Sequence, residues 1–300
     1  MSESDLSKAK FDVYRAITDK IVQAIEAGAG EFVMPWHSRR ASIGRPTNAQ
    51  TGVAYRGVNV VGLWAESMVS GYQSGTWASF RQWQKLDARV KRGERGTPIV
   101  FYRKLDVDEA QENEDEAKGR RMIARASWVF NASQVEGWEP PTPEPSDQAS
   151  VLEHVEAFVA ATEAQIRWGC DGACYLPLED VIEMPGRSWF WGTTTSSSTE
   201  SVYATLLHEL THWTGAAHRL DRKFGERFGS EAYAFEELVA ELGAALLCGD
   251  LGVANEPRPD HAAYLASWLQ VLKEDRRAIF MAAKLASSAA DYLSNFSAPQ

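Results

Sequence analysis

The sequence predicts an α+β protein of two domains, a mixed helix-and-strand domain followed by a mostly helical one. Three observations lead there. A proline-rich stretch at 139–150, EPPTPEPSDQAS, favours a stiff, extended linker. Before it the patterning reads as three helices and one hairpin, and after it long helical segments dominate. At 300 residues the chain also exceeds the usual single-domain size, and each part is long enough to bury a core. The expected division is 1–138, a linker at 139–150, and 151–300.

The elements follow in order. A first helix is expected over 7–26, then a polar loop over 34–56, then helices over 59–70 and 77–90. In the last of these Thr76 would cap the start, and Phe80 and Trp83 sit at helical spacing for a core. A hairpin follows, with strands at 97–104 and 122–129. Between them DVDEAQENEDEAKG is dense in acids and has no apolar period, so the tract 106–118 is expected to be a disordered excursion. Past the linker, 201–213 contains neither Gly nor Pro. Thr199 or Ser201 can cap it, Glu200 suits its first turn, and Gly215 supplies a stop. Leu206, Leu207, Leu210 and Trp213 give it a broad apolar surface. The stretch 231–249 reads as a second buried helix, and 261–273 and 276–295 as amphipathic helices closing the domain. The aromatic segment 188–195, SWFWGTTT, is expected as a strand able to pair with an extended peptide.

The first of the buried helices carries His208-Glu209-Leu210-Thr211-His212. Two histidines four apart lie one above the other on a helical face, so both imidazoles can reach one metal while Glu209 points at its water. A catalytic zinc takes three protein ligands and keeps a fourth position for water. The second buried helix holds Glu236, Glu237 and Glu241 among Ala and Leu, where charged groups need partners. Glu237 and Glu241 are four apart and share a face. Glu237 is therefore the expected third ligand and Glu241 the acceptor for the ring N–H of a ligand histidine. Glu236, about 100° around the helix, is the fallback ligand. The bland alternative is that these acids are solvated. His218 lies beyond Gly215 without the longer His-x-x-Gly-x-x-His spacing, and is expected at the surface or on the substrate side. The cofactor implied is one divalent ion, zinc first, with manganese or another transition metal as alternatives. Glu209 would be the general acid/base, and Tyr233, Tyr264 and His218 are open candidates for stabilising an oxyanion.

Charge divides across the linker. Residues 1–139 hold 20 Lys and Arg against 18 Asp and Glu, a net of +2, and the remainder 11 against 23, a net of −12. Within 39–104 the balance is 12 basic to 3 acidic, among many rings: Tyr55, Trp64, Tyr72, Trp77, Phe80, Trp83, Phe101 and Tyr102. Cations follow phosphates and any base can stack on a ring, so this composition points to single-stranded nucleic acid. Several of the rings must instead be core. The candidate contacts are Arg39, Arg40, Arg45, Tyr55, Arg56, Arg89, Lys91, Arg92 and Arg95, which recur in loops rich in Gly, Pro and Asn.

The polar start MSESDLSKAK is no signal peptide, and no apolar run is long enough to span a bilayer. A cytoplasmic protein with no membrane partner is expected. Cys170, Cys174 and Cys248 cannot all pair and would stay reduced there. Cys170 and Cys174 could be half a metal site, but no second pair accompanies them.

Four stretches carry a family resemblance that covers nearly the whole chain. TNAQTGVAYRGVNVVGLW and WASFRQWQKLDARVKRGERGTPIVFYRK resemble the N-terminal domain of ArdC-type antirestriction proteins. YATLLHELTHWTGAAHRLDR and YAFEELVAELGAALLCGDLGV resemble the zincin-like metallopeptidase domain that follows it. The resemblance implies His208, His212 and Glu237 as metal ligands and Glu209 as catalytic acid/base. It further implies single-stranded DNA binding by the first domain and protection of incoming conjugative DNA from restriction, with transfer to the recipient cell as an extension. The acidic tract 106–118 departs from the family pattern. Two function classes follow: a metallopeptidase brought to DNA that cuts a restriction-related protein, or a DNA-coating protein whose metal site is structural or only self-cleaving. A nuclease is weaker, since no cluster of acids for a two-metal site is visible.

Overall fold

The computed structural model describes residues 12–28, 45–104, 122–139, 148–190, 197–223, 231–253 and 261–297. Helix α1 (Val13–Gly28) opens the described chain. The strand β1 (Thr47–Asn48), helix α2 (Val58–Ser70), strand β2 (Thr76–Ser79) and helix α3 (Phe80–Lys85) follow, then strands β3 (Arg89–Val90), β4 (Thr97–Lys104), β5 (Met122–Asn131) and β6 (Val135–Glu136). The second half comprises α4 (Gln148–Ala161), the strands β7 (Gln165–Trp168), β8 (Cys174–Leu176) and β9 (Val181–Met184), and helices α5 (Ser198–Trp213), α6 (Glu231–Leu251), α7 (His261–Glu274) and α8 (Ala278–Ser294). This is α+β in two parts, as expected. Of the linker expected at 139–150, residues 140–147 lie outside the described residues, and α4 already begins at Gln148.

In the first half the hairpin forms with Thr97 opposite Val129 and Phe101 opposite Arg125. It becomes a four-stranded sheet in the order β1-β2-β5-β4. The helix expected over 77–90 does not exist at that length. Ser79, not Thr76, caps a short α3 through a reciprocal pair with Gln82, so Trp77 and Ala78 are free to be strand residues. The consequence is that Trp83 is buried while Phe80 is 49% exposed. Residues 2–11, 29–44 and 106–118 lie outside the described residues, and with them the start of the first helix, most of the polar loop, and the acidic tract.

In the second half α5 starts one turn earlier than expected, because Ser197 rather than Thr199 or Ser201 makes the capping box with Glu200. Such a cap stabilises a helix start by about 1 kcal/mol. Of the strand expected at 188–195, the described start belongs to a 3-10 turn at Arg187–Trp189, and 191–195 lies outside the described residues. A three-stranded sheet in the order β7-β9-β8, invisible to period-based reading because its strands are only three or four residues long, packs beside α5.

Each half was expected to bury its own core. Two small clusters do belong to the first half: Leu63, Trp77, Ile99 and Val129 in one, Ala78, Trp83, Ala88 and Val135 in the other. The largest cluster, however, joins Ile17, Ile21 and Val61 of the first half to Leu207, Leu246 and Ile279 of the second. Thr18 Oγ1 also donates to the Arg276 carbonyl at 2.8 Å, fastening α1 to the start of α8.

Gly243 lets α5 and α6 cross closely. A Cβ there would stand 2.4 Å from Thr211 Cγ2 and 2.7 Å from Oγ1, and Thr211 lies between the two histidines, its hydroxyl donating to the Leu207 carbonyl. Apolar contacts need about 3.5 to 4 Å, so Gly243→Ala must push the helices apart. That variant should lose about 1 to 3 kcal/mol of stability and bind metal more weakly, and Thr211→Ala in the same chain should restore part of both. Calorimetry and metal titration of the single and double variants check this, and unchanged values for the single variant would refute the tight crossing.

Candidate metal centre and nucleic-acid surface

His208, Glu209 and His212 are all buried on α5, and Glu236, Glu237 and Glu241 are all buried on α6. The solvated reading of the three acids is therefore wrong. His208 Nε2 and His212 Nε2 face each other at 3.2 Å. Glu237 closes the triangle, with one oxygen 3.5 Å from His208 Nε2 and the other 3.5 Å from His212 Nε2. Around an ion with bonds of about 2.1 Å, tetrahedral ligand atoms stand roughly 3.4 Å apart. The histidine contact and the contact of each Glu237 oxygen lie near that spacing, and one donor atom from each of the three residues lies within 4.8 Å of the others, so the donor set fits one divalent ion. It is the only such convergent group of His, Cys, Asp and Glu among the described residues. Glu209 is not one of its members.

The other ring nitrogens are held from behind. His208 Nδ1 lies 3.1 Å from Glu241, as expected. His212 Nδ1 lies 3.2 Å from Glu236, so the fallback ligand is instead the outer acceptor for the second histidine. Its position off the Glu237 face is what lets it reach round to the far nitrogen. Glu236 in turn receives the fork of Arg222, with contacts from 2.9 to 3.3 Å. Arg222 also donates to Thr214 Oγ1 at 2.7 Å and to the Thr211 carbonyl. Sequence reasoning passed over Arg222 because nothing marks it until its partner is known to be buried.

These charges set the protonation of the metal-free site. Burial pushes His212 down, but the bonds to Glu236 and Glu237 outweigh it and raise the imidazole to about 10. Burial pushes Glu236 and Glu237 up, and the histidines, together with Arg222 at Glu236, hold both below the ordinary carboxylate range.

Other expected residues stand elsewhere. His218 is exposed and turned to Asp180 at 3.5 Å, away from the centre. Tyr233 is half-buried on α6 one turn before Glu237, and the side chain of Tyr264 lies outside the described residues. Cys174 sits on β8 with its thiol pushed up by burial and by the charge of Glu209. Among the described residues strand β8 pairs only with β9, so its other edge, in the strand beside α5, has no described strand partner.

The expected nucleic-acid contacts divide. Arg39 and Arg40 lie outside the described residues. Arg45 is tied to Asp250 at 3.0 Å and to the Tyr55 carbonyl at 3.1 Å, and its side chain is only 10% exposed. Arg45 is thus a structural cation rather than a phosphate ligand. Tyr55 is half-buried, bonded to Asn48, and raised by burial, so it is not a free stacking ring. Arg56 pairs with Asp291 of α8. Arg89, Lys91, Arg92 and Arg95 are exposed on β3 and the turn after it, with Lys91 donating to the Ser133 carbonyl. Of the rings, Trp64, Trp77 and Trp83 are core, whereas Phe80, Phe101, Tyr102 and Trp128 are about half exposed. Trp128 was missed because it lies beyond the basic segment, brought beside Pro98 by the hairpin register.

Metal titrations should rank Glu237→Ala as the most damaging change. Glu236→Ala and Glu241→Ala should each cost about 10 to 100-fold in affinity, and a harmless Glu236→Ala would contradict the contact with His212. Arg222→Ala leaves a buried carboxylate uncompensated and should destabilise the fold by about 3 to 5 kcal/mol. The raised His212 proton stabilises the metal-free fold fully below its ordinary 6.5 and is lost as pH rises through about 10. A metal must displace that proton, so apparent affinity should climb between these limits by up to about tenfold per pH unit. Flat affinity from pH 6.5 to 9 would exclude this linkage.

Comparison with known proteins agrees with both halves. Residues 11–130 match a family described as the N-terminal domain of anti-restriction factor ArdC, and residues 153–285 match a family described as zincin-like metallopeptidase. A Sinorhizobium fredii protein named uncharacterized protein y4eC is 44% identical over 286 residues, spanning 94% of this chain and 91% of its own. DNA primase TraC of Escherichia coli is 33% identical over 98% of this chain, which spans only 28% of that protein. The crystal structures of antirestriction ArdC from plasmid R388 are 36% identical to this chain. The metal-free form superposes with a TM-score of 0.76 over 95% of this chain and 98% of that one, and the Mn(II)-bound form with 0.75 over 96% and 99%. With two domain matches in order and full-length likeness in sequence and structure, the chain belongs to the ArdC-type antirestriction family.

Proposed function

We propose that this protein protects incoming DNA from restriction by binding it single-stranded through residues 1–138 and by cutting a protein with the metallopeptidase domain, 151–300, across the linker at 139–150. The observation that carries the enzymatic part is the triangle of His208, His212 and Glu237 with Glu209 buried beside it. The metal, zinc by the donor set and the open fourth position, would supply Lewis acidity that acidifies water and polarises a carbonyl. Glu209 takes the proton of the attacking water and delivers it to the leaving amine. Glu236 and Glu241 hold the two imidazoles in the tautomer that leaves each Nε2 free to face the ion. The edge of β8 that has no partner among the described residues aligns an extended peptide beside α5 by strand addition. Tyr233, one turn before Glu237 and so on the same face of α6, is the residue that stabilises the oxyanion. The DNA-binding part is supported by exposed rings and cations in the first half, and by the likeness of the chain to part of a protein named DNA primase. The substrate is a restriction-related or DNA-bound protein, and the protein acts in the cytoplasm of the cell receiving conjugated DNA.

Glu209→Ala should retain metal and fold while losing protease activity, and should lower antirestriction in a transfer assay beside wild type. Equal protection by this variant would favour a DNA-coating protein whose metal site is structural. Binding of an oligodeoxythymidine by the full chain should weaken steeply with salt as counterions are released, and charge reversal at Arg92 and Arg95 should weaken it further.

A further inference from the structure

The junction of the two halves contains a groove that the proposed function does not use. One cavity of about 740 Å³ has Phe101 and Tyr102 of β4 on one side and Phe280, Lys284 and Ser287 of α8 on the other. A second, of about 580 Å³, runs on from it past the loop before α2 and reaches Ser127 and Gln82. The two share Arg56, Asn59 and Phe101. Phe101 and Tyr102 are 52% and 49% exposed, although they lie within a paired strand of the hairpin.

The charges around these rings are unbalanced. Arg56 is matched by Asp291, so that pair is neutral. Lys284 lines the groove, and Arg125 stands opposite Phe101 in the hairpin register and so on its face of the sheet, whereas Tyr102, the next residue along β4, turns to the other face with its hydroxyl against Tyr14. Among the described residues neither of these two cations has a carboxylate partner. Planar rings at half exposure with unpaired cations beside them are the two elements that a single strand requires, stacking for its bases and positive charge for its phosphates.

We propose that single-stranded DNA lies in this groove along the edge strand β4, its bases against Phe101 and its phosphates toward Lys284 and Arg125. The proposal rests on the single-strand reading above and goes beyond it in one respect. The last helix of the metallopeptidase half becomes part of the nucleic-acid site, and α8 packs directly on α6, the helix that carries Glu236, Glu237 and Glu241. DNA therefore sits one helix away from the metal donors. A paired duplex has no open base faces to offer the rings, so the groove selects for unpaired strand.

Fluorescence anisotropy with a labelled 20-nucleotide oligodeoxythymidine and the full chain tests this. Lys284→Glu, at an exposed position that leaves the fold intact, should weaken binding about tenfold and reduce the salt slope by about one. Phe101→Ala should weaken binding about tenfold with the salt slope unchanged, since stacking releases no counterions. Lys273→Glu, the same charge change on α7 where the lysine pairs with Glu26, serves as control and should bind like wild type. If wild type binds and both groove variants match it, the strand lies elsewhere and the proposal is overturned while the single-strand reading stands. If wild type does not bind, both fall. Weakening of all three variants alike would show a long-range charge effect and would also overturn the groove.

Discussion

Six ionisable side chains from two helices are buried around one point, and five of them, all but Glu209, hold one another in a chain of contacts. An unpaired charge in such a place costs several kcal/mol. The solution is a chain of contacts with a fixed order. Glu241 holds His208, Glu237 faces both histidines, Glu236 holds His212, and Arg222 holds Glu236. Each imidazole thus has an acid on both sides, and its orientation is determined before any ion arrives. The geometry is possible only because the helices cross within a distance that a methyl group at Gly243 would prevent. Packing and electrostatics are therefore one constraint here, since the backbone approach sets the reach of every carboxylate.

The first half depends on the same helices. Its two private clusters are small, and α1 and α2 complete their burial against α7 and α8. What the first half presents outward is the face of a hairpin with rings and cations that the core does not claim. The polar contacts across the junction, Arg45 with Asp250 and Arg56 with Asp291, take up two arginines that composition alone would assign to phosphate.

The metal triad was legible because its chemistry is written in short spacings. Histidines four apart on a helix have one geometry, and Glu237 and Glu241 share a face whatever the tertiary fold. Glu236 was misread because its role depends on the angle between α5 and α6, which no spacing within one helix encodes. Arg222 and Gly243 were invisible for the same reason. In the first half, Phe80 and Trp83 read as the core of one helix starting at Trp77, and only the capping preference of Ser79 decides that the chain changes from strand to helix after Trp77 and Ala78. The short strands β7, β8 and β9 carry too few residues for a period to show. Which arginines are free could not be read at all, since that depends on acids more than 200 residues away.

The hydrogen bond from Thr18 to Arg276 spans 258 positions, whereas the three metal donors lie within a stretch of 30 residues, 208 to 237. Contacts so different in sequence separation close at different stages of folding, because long loops lose more entropy on closure and form later. During synthesis the donor helices can meet as soon as α6 has emerged. The N-terminal helices cannot finish burying their apolar faces until α7 and α8 have been made. The half of the protein synthesised first is thus the last to become complete, and until then its unburied helices are the part of the nascent chain most in need of chaperone cover.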